Sequence, residues 1–165
     1  MNLLTFFANT MPGMPQAAAW LAPLILVLLG VSAAIDAYKG KIPDPIILTG
    51  LLITVVVEGV YAGWPFAGKH VLGAFAAGIF IYGVNEIWYH FKKSDAIGMG
   101  DAKWTALAVA CFMPKPVAIA WGLGACLALL WMGTVRAFGR KMIRVYFAPF
   151  LWLGLVAGFC WLHIR

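Results

Sequence analysis

Charge is what this chain has least of. Only 11% of its 165 residues are Asp, Glu, Lys or Arg, the acidic ones number six, and the segment from Met1 to Leu26 holds no Lys or Arg at all. With 64% hydrophobic residues and a mean hydropathy of +0.91, that poverty excludes both a disordered chain and a water-soluble domain of this size. A cleaved secretory signal needs a basic segment ahead of its apolar core, so the first apolar run is expected to stay in the mature protein. Cysteine is scarce as well. Cys111, Cys126 and Cys160 each lie inside an apolar run, which excludes a disulfide scaffold and reads as three small buried hydrophobes. Six helices of about 20 residues would take about 120 positions and leave about 45 for all loops and termini. No separate soluble domain fits.

What is present is a succession of apolar runs. After a soft segment with Pro12, Gly13 and Pro15, spans are expected at about 17–36, 45–61, 70–90, 101–113, 116–135 and 145–164. The fold expected is an all-α membrane protein, a polytopic bundle of about six transmembrane helices forming one domain over 1–165. The first span stops at Asp36 and a polar connection follows, in which Asp44 before Pro45 reads as an N-cap and a first-turn proline. Gly63-Trp64-Pro65 reads as the turn closing the second span, and Pro114-Lys115-Pro116 as the turn into the fifth. The fourth helix is the odd one, because from Asp101 to Met113 it is too short to cross a bilayer unless its start is already sunk below the headgroups.

A net charge of +6 in a soluble protein would suggest nucleic acid. Here the basic residues cluster between apolar runs, so nucleic acid is not expected and the partner is an anionic lipid headgroup layer. Alternate loops hold Lys39, Lys41, Lys92, Lys93, Lys103, Arg136, Arg140, Lys141 and Arg144 on one side, against Lys69, Lys115 and Arg165 on the other. The richer side is expected to face the cytoplasm, which puts both termini outside it. Gly154 and Gly158 form a small-xxx-small face suited to close helix packing.

An ionisable side chain at a membrane helix is costly unless paired or solvated, so each is a functional candidate. Asp36 ends the first span and Asp101 opens the fourth helix, which places both carboxylates in one leaflet. Two carboxyl groups a few ångströms apart do not both ionise cheaply, so a proton is retained between them and a base stands beside an acid. Such a pair hydrolyses a peptide bond with no covalent enzyme intermediate, the base drawing a proton from water while the acid donates to the carbonyl oxygen. Gly98 and Gly100, lacking side chains, let backbone or substrate approach Asp101 closely.

These residues resemble a known pattern. Gly98-Met99-Gly100-Asp101-Ala102-Lys103 is similar to the GxGD signature, with its following Lys, of the prepilin peptidases, membrane aspartic proteases that process type IV pilin and related precursors. Asp36, followed by a basic stretch and Ile42-Pro43-Asp44, resembles the family's first catalytic aspartate and the Pro element opening its next helix. Tyr146-Phe147-Ala148-Pro149-Phe150 resembles the element that begins the family's last span, although Val145 stands where a proline is expected. The resemblance extends from about Leu24 to Leu155. It implies Asp36 and Asp101 as the catalytic pair, Gly98, Gly100, Lys103, Pro43 and Asp44 as residues shaping the site, no cofactor and no metal. It further implies removal of a leader peptide from a membrane-inserted prepilin-like precursor at the cytoplasmic face of a bacterial inner membrane. Larger members also methylate the new N-terminus and carry an insertion with paired cysteines. This sequence has no CxxC, so the compact, peptidase-only form is expected.

Plainer readings stand beside these. Asp36 alone is an ordinary polar helix end and Asp101 alone an N-cap. Asp44 and Asp95 read as capping or loop residues, Lys103 as a headgroup contact, and Glu86 with His90 as a polar pair at helical spacing. Glu58 is assigned no role, His70, His90 and His163 lie on separate segments and make no zinc site, and the tryptophans form an aromatic belt at span ends. Two rival functions remain: a small proton-coupled transporter or channel, in which the aspartates carry protons, and a non-catalytic membrane subunit of a pilus or secretion machine.

Overall fold

A computed structural model describes residues 15–93, 97–112, 114–138 and 145–164. Pro12, Gly13, Asp95, Met113, Arg140, Lys141, Arg144, Arg165 and the side chain of His163 lie outside the described residues. A 3-10 turn at Gln16–Ala18 precedes six helices: α1 (Leu21–Lys39), α2 (Asp44–Tyr61), α3 (Trp64–Lys92), α4 (Met99–Phe112), α5 (Pro114–Ala137) and α6 (Ala148–Ile164). The chain is an all-α membrane bundle. By length and composition α1 with its preceding turn, α2, α3 and α5 can each cross a bilayer, while α6 has 17 residues and α4 only 14.

Several boundaries differ from expectation, each for a local reason. α1 does not stop at Asp36 but continues one turn to Lys39. It ends where Gly40 adopts a left-handed φ of +67° and donates its N–H to the Asp36 carbonyl at 2.7 Å. Pro43, with no side-chain cap, holds the N-cap position of α2, so Asp44 is the first helical residue and not the cap. Gly63, at φ +95°, and Ala62 make the whole connection to α3, because Trp64 and Pro65 already belong to that helix. Pro114 and Pro116 likewise sit in the first turn of α5, where the missing N–H has no helical partner to lose. α6 starts three residues late, leaving Val145-Tyr146-Phe147 as a non-helical approach.

The shortest helix is the centre. α4 is buried from Leu107 to Phe112 and also at Asp101, Ala102, Trp104 and Thr105, and it packs against each of the other five helices. α3 is the opposite. It rises about 43 Å against about 21 Å for α4, packs on α4 and α2, and exposes most of its length to the surroundings. The amide of Ile97 donates to Asn85 Oδ1 at 3.1 Å, so the last turns of α3 overhang the start of α4.

Three tryptophans expected in an aromatic belt instead tie helices together. The indole N–H of Trp104 donates to the Leu29 carbonyl (3.2 Å), that of Trp152 to the Leu26 carbonyl (3.0 Å), and that of Trp121 to the Thr105 hydroxyl (3.0 Å). A buried indole needs such a partner. Trp20, Trp64, Trp88, Trp131 and Trp161 are exposed at the outer surface. α5 and α6 meet backbone to backbone, as the Gly154 pattern led one to expect: a Cβ on Gly154 would collide with the Ala120 carbonyl oxygen, and one on Gly124 would lie 2.9 Å from that of Phe150. Of the cysteines only Cys111 is buried. Cys126 and Cys160 face outward, where lipid suits an apolar thiol as well as a core does.

Candidate active site

At one end of the bundle the last turn of α1, the first turns of α2 and α4, and the approach to α6 surround a cavity of about 530 Å³. Asp36 and Asp101 both line it and both are 8% exposed. They interact electrostatically across it, so the structure brings together the two carboxylates that the sequence placed only in a common leaflet.

Each carboxylate is placed by its backbone. Asp101 is not the N-cap of α4, because Gly98 stands at that position. The Asp101 N–H bonds the Gly98 carbonyl at 3.0 Å while the Asp101 carboxylate accepts the Gly98 N–H, a reciprocal arrangement like a capping box. A Cβ on Gly98 would lie 3.3 Å from Asp101 Oδ2, so glycine leaves the clearance that this contact needs. Gly100 serves a different neighbour: a Cβ there would come 3.2 Å from Ile42 of the α1–α2 connection, which packs against it as the cavity's buried wall. On the next turn Thr105 donates its hydroxyl to the Asp101 carbonyl at 2.7 Å.

Asp44 and Lys103 also line the cavity and pair with each other at 2.6 Å, tying α2 to α4. Lys103 therefore does more than contact headgroups, and Asp44 forms a cross-helix ion pair in place of a cap. The pair is 60% and 41% exposed at Asp44 and Lys103, so its net worth is about 0–1 kcal/mol and its use is positional. Pro43 fixes the entry into α2 beside Ile42 and Asp44. Lys41, Tyr146 and Phe147 complete the wall. Tyr146 lies over the backbone of Gly40, where a Cβ would be 2.7 Å from its ring. That contact is invisible in the sequence, since over a hundred positions separate the two; the only signal was the resemblance of the Tyr146-Phe147 element.

Glu58, given no role from sequence, is fully buried at the opposite end of the bundle. There its Oε1 lies 2.7 Å from His70 Nδ1, which is also 2.9 Å from the Ala110 carbonyl of α4. The sequence does not reveal this pairing, because the apolar run begins at His70, whereas α3 begins six residues earlier and carries His70 inward. Glu86 is engaged by Tyr82, one turn before it, rather than being reserved for His90. Among the described residues no group of three or more His, Cys, Asp or Glu side chains could hold a metal ion.

The chemistry open to the cavity is acid–base work on a substrate backbone. It offers two shielded carboxylates, a glycine-lined edge and an opening at the same end as Lys39, Lys41, Lys92, Lys93, Lys103 and Arg136, whereas Lys69 and Lys115 stand at the other end. The chain matches no curated protein and no solved structure. A family match does exist. It runs over residues 23–133 and so includes Asp36, the Ile42-Pro43-Asp44 element and Gly98 to Lys103, and by it the chain belongs to the type IV leader peptidase family.

Proposed function

We propose that this peptidase is an aspartic endopeptidase that removes the leader from type IV prepilin or prepilin-like precursors, with Asp36 and Asp101 as its catalytic pair. The observation that carries the reading is the shared cavity, which two nearly buried, electrostatically interacting carboxylates from α1 and α4 line beside a glycine edge. One carboxylate takes a proton from a water molecule as the water oxygen attacks the scissile carbonyl carbon. The other, protonated, donates to the carbonyl oxygen to give a tetrahedral diol. Collapse of the diol returns a proton to the departing amine, the C–N bond breaks, and the pair is left again with one proton.

The cavity end is the end rich in Lys and Arg, which supports a cytoplasmic site in a bacterial inner membrane, with anionic headgroups around it and both termini on the far side. The precursor is a membrane-inserted protein whose leader meets the cavity from that side. The test is incubation of the detergent-purified protein with a prepilin-like precursor, comparing wild type with Asp36→Asn and Asp101→Asn. Each variant is expected to lose at least about a hundredfold in cleavage rate, since each removes one half of the acid–base pair. Full cleavage by either would end the dyad assignment.

A further inference from the structure

A second cavity of about 540 Å³ opens on the outer surface between α3 and α5, with α4 as its floor. Its walls include Ala77, Ile81 and Val84 from α3 and Val117, Ala118 and Trp121 from α5. The polar groups at its floor satisfy each other, because Trp121 donates to the Thr105 hydroxyl, which in turn donates to the Asp101 carbonyl. The trough therefore offers a ligand nothing to hydrogen-bond and accepts an apolar partner.

It also adjoins the carboxylate cavity at two places. Ile97 lines the trough and the next residue, Gly98, lines the cavity; Trp121 lines the trough and Phe147 the cavity, with their rings in contact at 5.2 Å between centroids. A comparable apolar groove between α2 and α3 lacks this adjacency: none of its lining residues is next in sequence to one that lines the carboxylate cavity.

Resting on the peptidase reading above, we infer that the trough between α3 and α5 docks the apolar transmembrane helix of the precursor, which delivers the adjoining scissile bond past Trp121 and Phe147 to the two carboxylates. A precursor helix is the occupant with a reason to be there, since only a ligand continuing beyond the trough's end uses its junction with the cavity. Acyl chains would fill the space without using it.

The test places a photo-crosslinking residue at position 118, and separately at position 78 in the other groove, in the full-length protein carrying Asp101→Asn, reconstituted with a prepilin-like precursor. Position 118 is expected to give an adduct mapping to the precursor's apolar helix, and position 78 is not. Adducts to lipid alone at 118, or equal capture at both positions, overturn the assignment. In the active protein, Ala118→Phe is expected to raise KM for the precursor about tenfold with kcat within about twofold, while Gly78→Phe leaves both unchanged. An unaltered KM in Ala118→Phe overturns the trough and leaves the peptidase intact, whereas no cleavage by wild type is a failure of the peptidase reading itself.

Discussion

Asp101 shows how much a single position carries. Its side chain lines the carboxylate cavity, its amide and carboxylate close the first turn of α4 on Gly98, and its carbonyl receives the Thr105 hydroxyl. Glu58 and His70 form a buried polar pair beside the far end of the same helix, where His70 also reaches the Ala110 carbonyl. Glu58 Oε2 and His70 Nε2 have no further partner among the described residues, so the pair already lacks full compensation. Removing His70 leaves the Glu58 carboxyl buried and alone, whereas removing Glu58 leaves the imidazole the Ala110 carbonyl. His70→Phe is therefore expected to cost about 3–5 kcal/mol, and the double change Glu58→Leu with His70→Phe to cost less than that single one. Unfolding of the detergent-solubilised variants measures this, and a double variant weaker than either single one contradicts it.

At the scale of the element, glycine has opposite meanings on one helix. Gly124 of α5 and Gly154 of α6 let two backbones touch, whereas Gly122, two residues from Gly124, has nothing within 4 Å of where a Cβ would stand. Gly154→Ala is expected to destabilise by about 1–3 kcal/mol or more through backbone overpacking. Gly122→Ala should be neutral or stabilising by about 0.5–1 kcal/mol, from helix propensity alone. Thermal midpoints of the two variants, expected to move apart, give the comparison. The Gly154 contact was legible because small residues four apart leave a flat face on any helix. The starts of α3 and α5 were less so, since Pro65, Pro114 and Pro116 read equally well as turn residues and first-turn residues, and only the backbone shows which.

For the whole molecule, hydropathy and charge revealed the all-α bundle, and the two aspartates revealed the chemistry to look for. What they did not contain was lateral arrangement: that α1 and α4 are neighbours, that Tyr146 covers Gly40, and that Asp44 meets Lys103 all depend on tertiary packing between distant segments. The alternation of helices is testable directly. Tyr38 is 87% exposed at the cavity end and Trp64 is 63% exposed at the other. A membrane-impermeant thiol reagent is expected to label Tyr38→Cys from the cytoplasmic side only and Trp64→Cys from the opposite side only. Labelling of both from one side contradicts the arrangement.

The disparity between α3 and α4 has a consequence for the bilayer itself. Beyond Asn85, level with Ile97, α3 continues for seven residues, a rise of about 10 Å. With α3 upright and Lys92 at the lipid phosphates, the carboxylates lie that far beneath them, beside a helix too short to match the surrounding hydrocarbon. Where the trough between α3 and α5 opens the side of α4 to the bilayer, lipid must dent inward to meet it. On the proposed function, a precursor cut at the bottom of such a dent would yield a leader released to the interface and an apolar helix held by the hydrocarbon, so the two products would part along the membrane normal without any gate having to swing open.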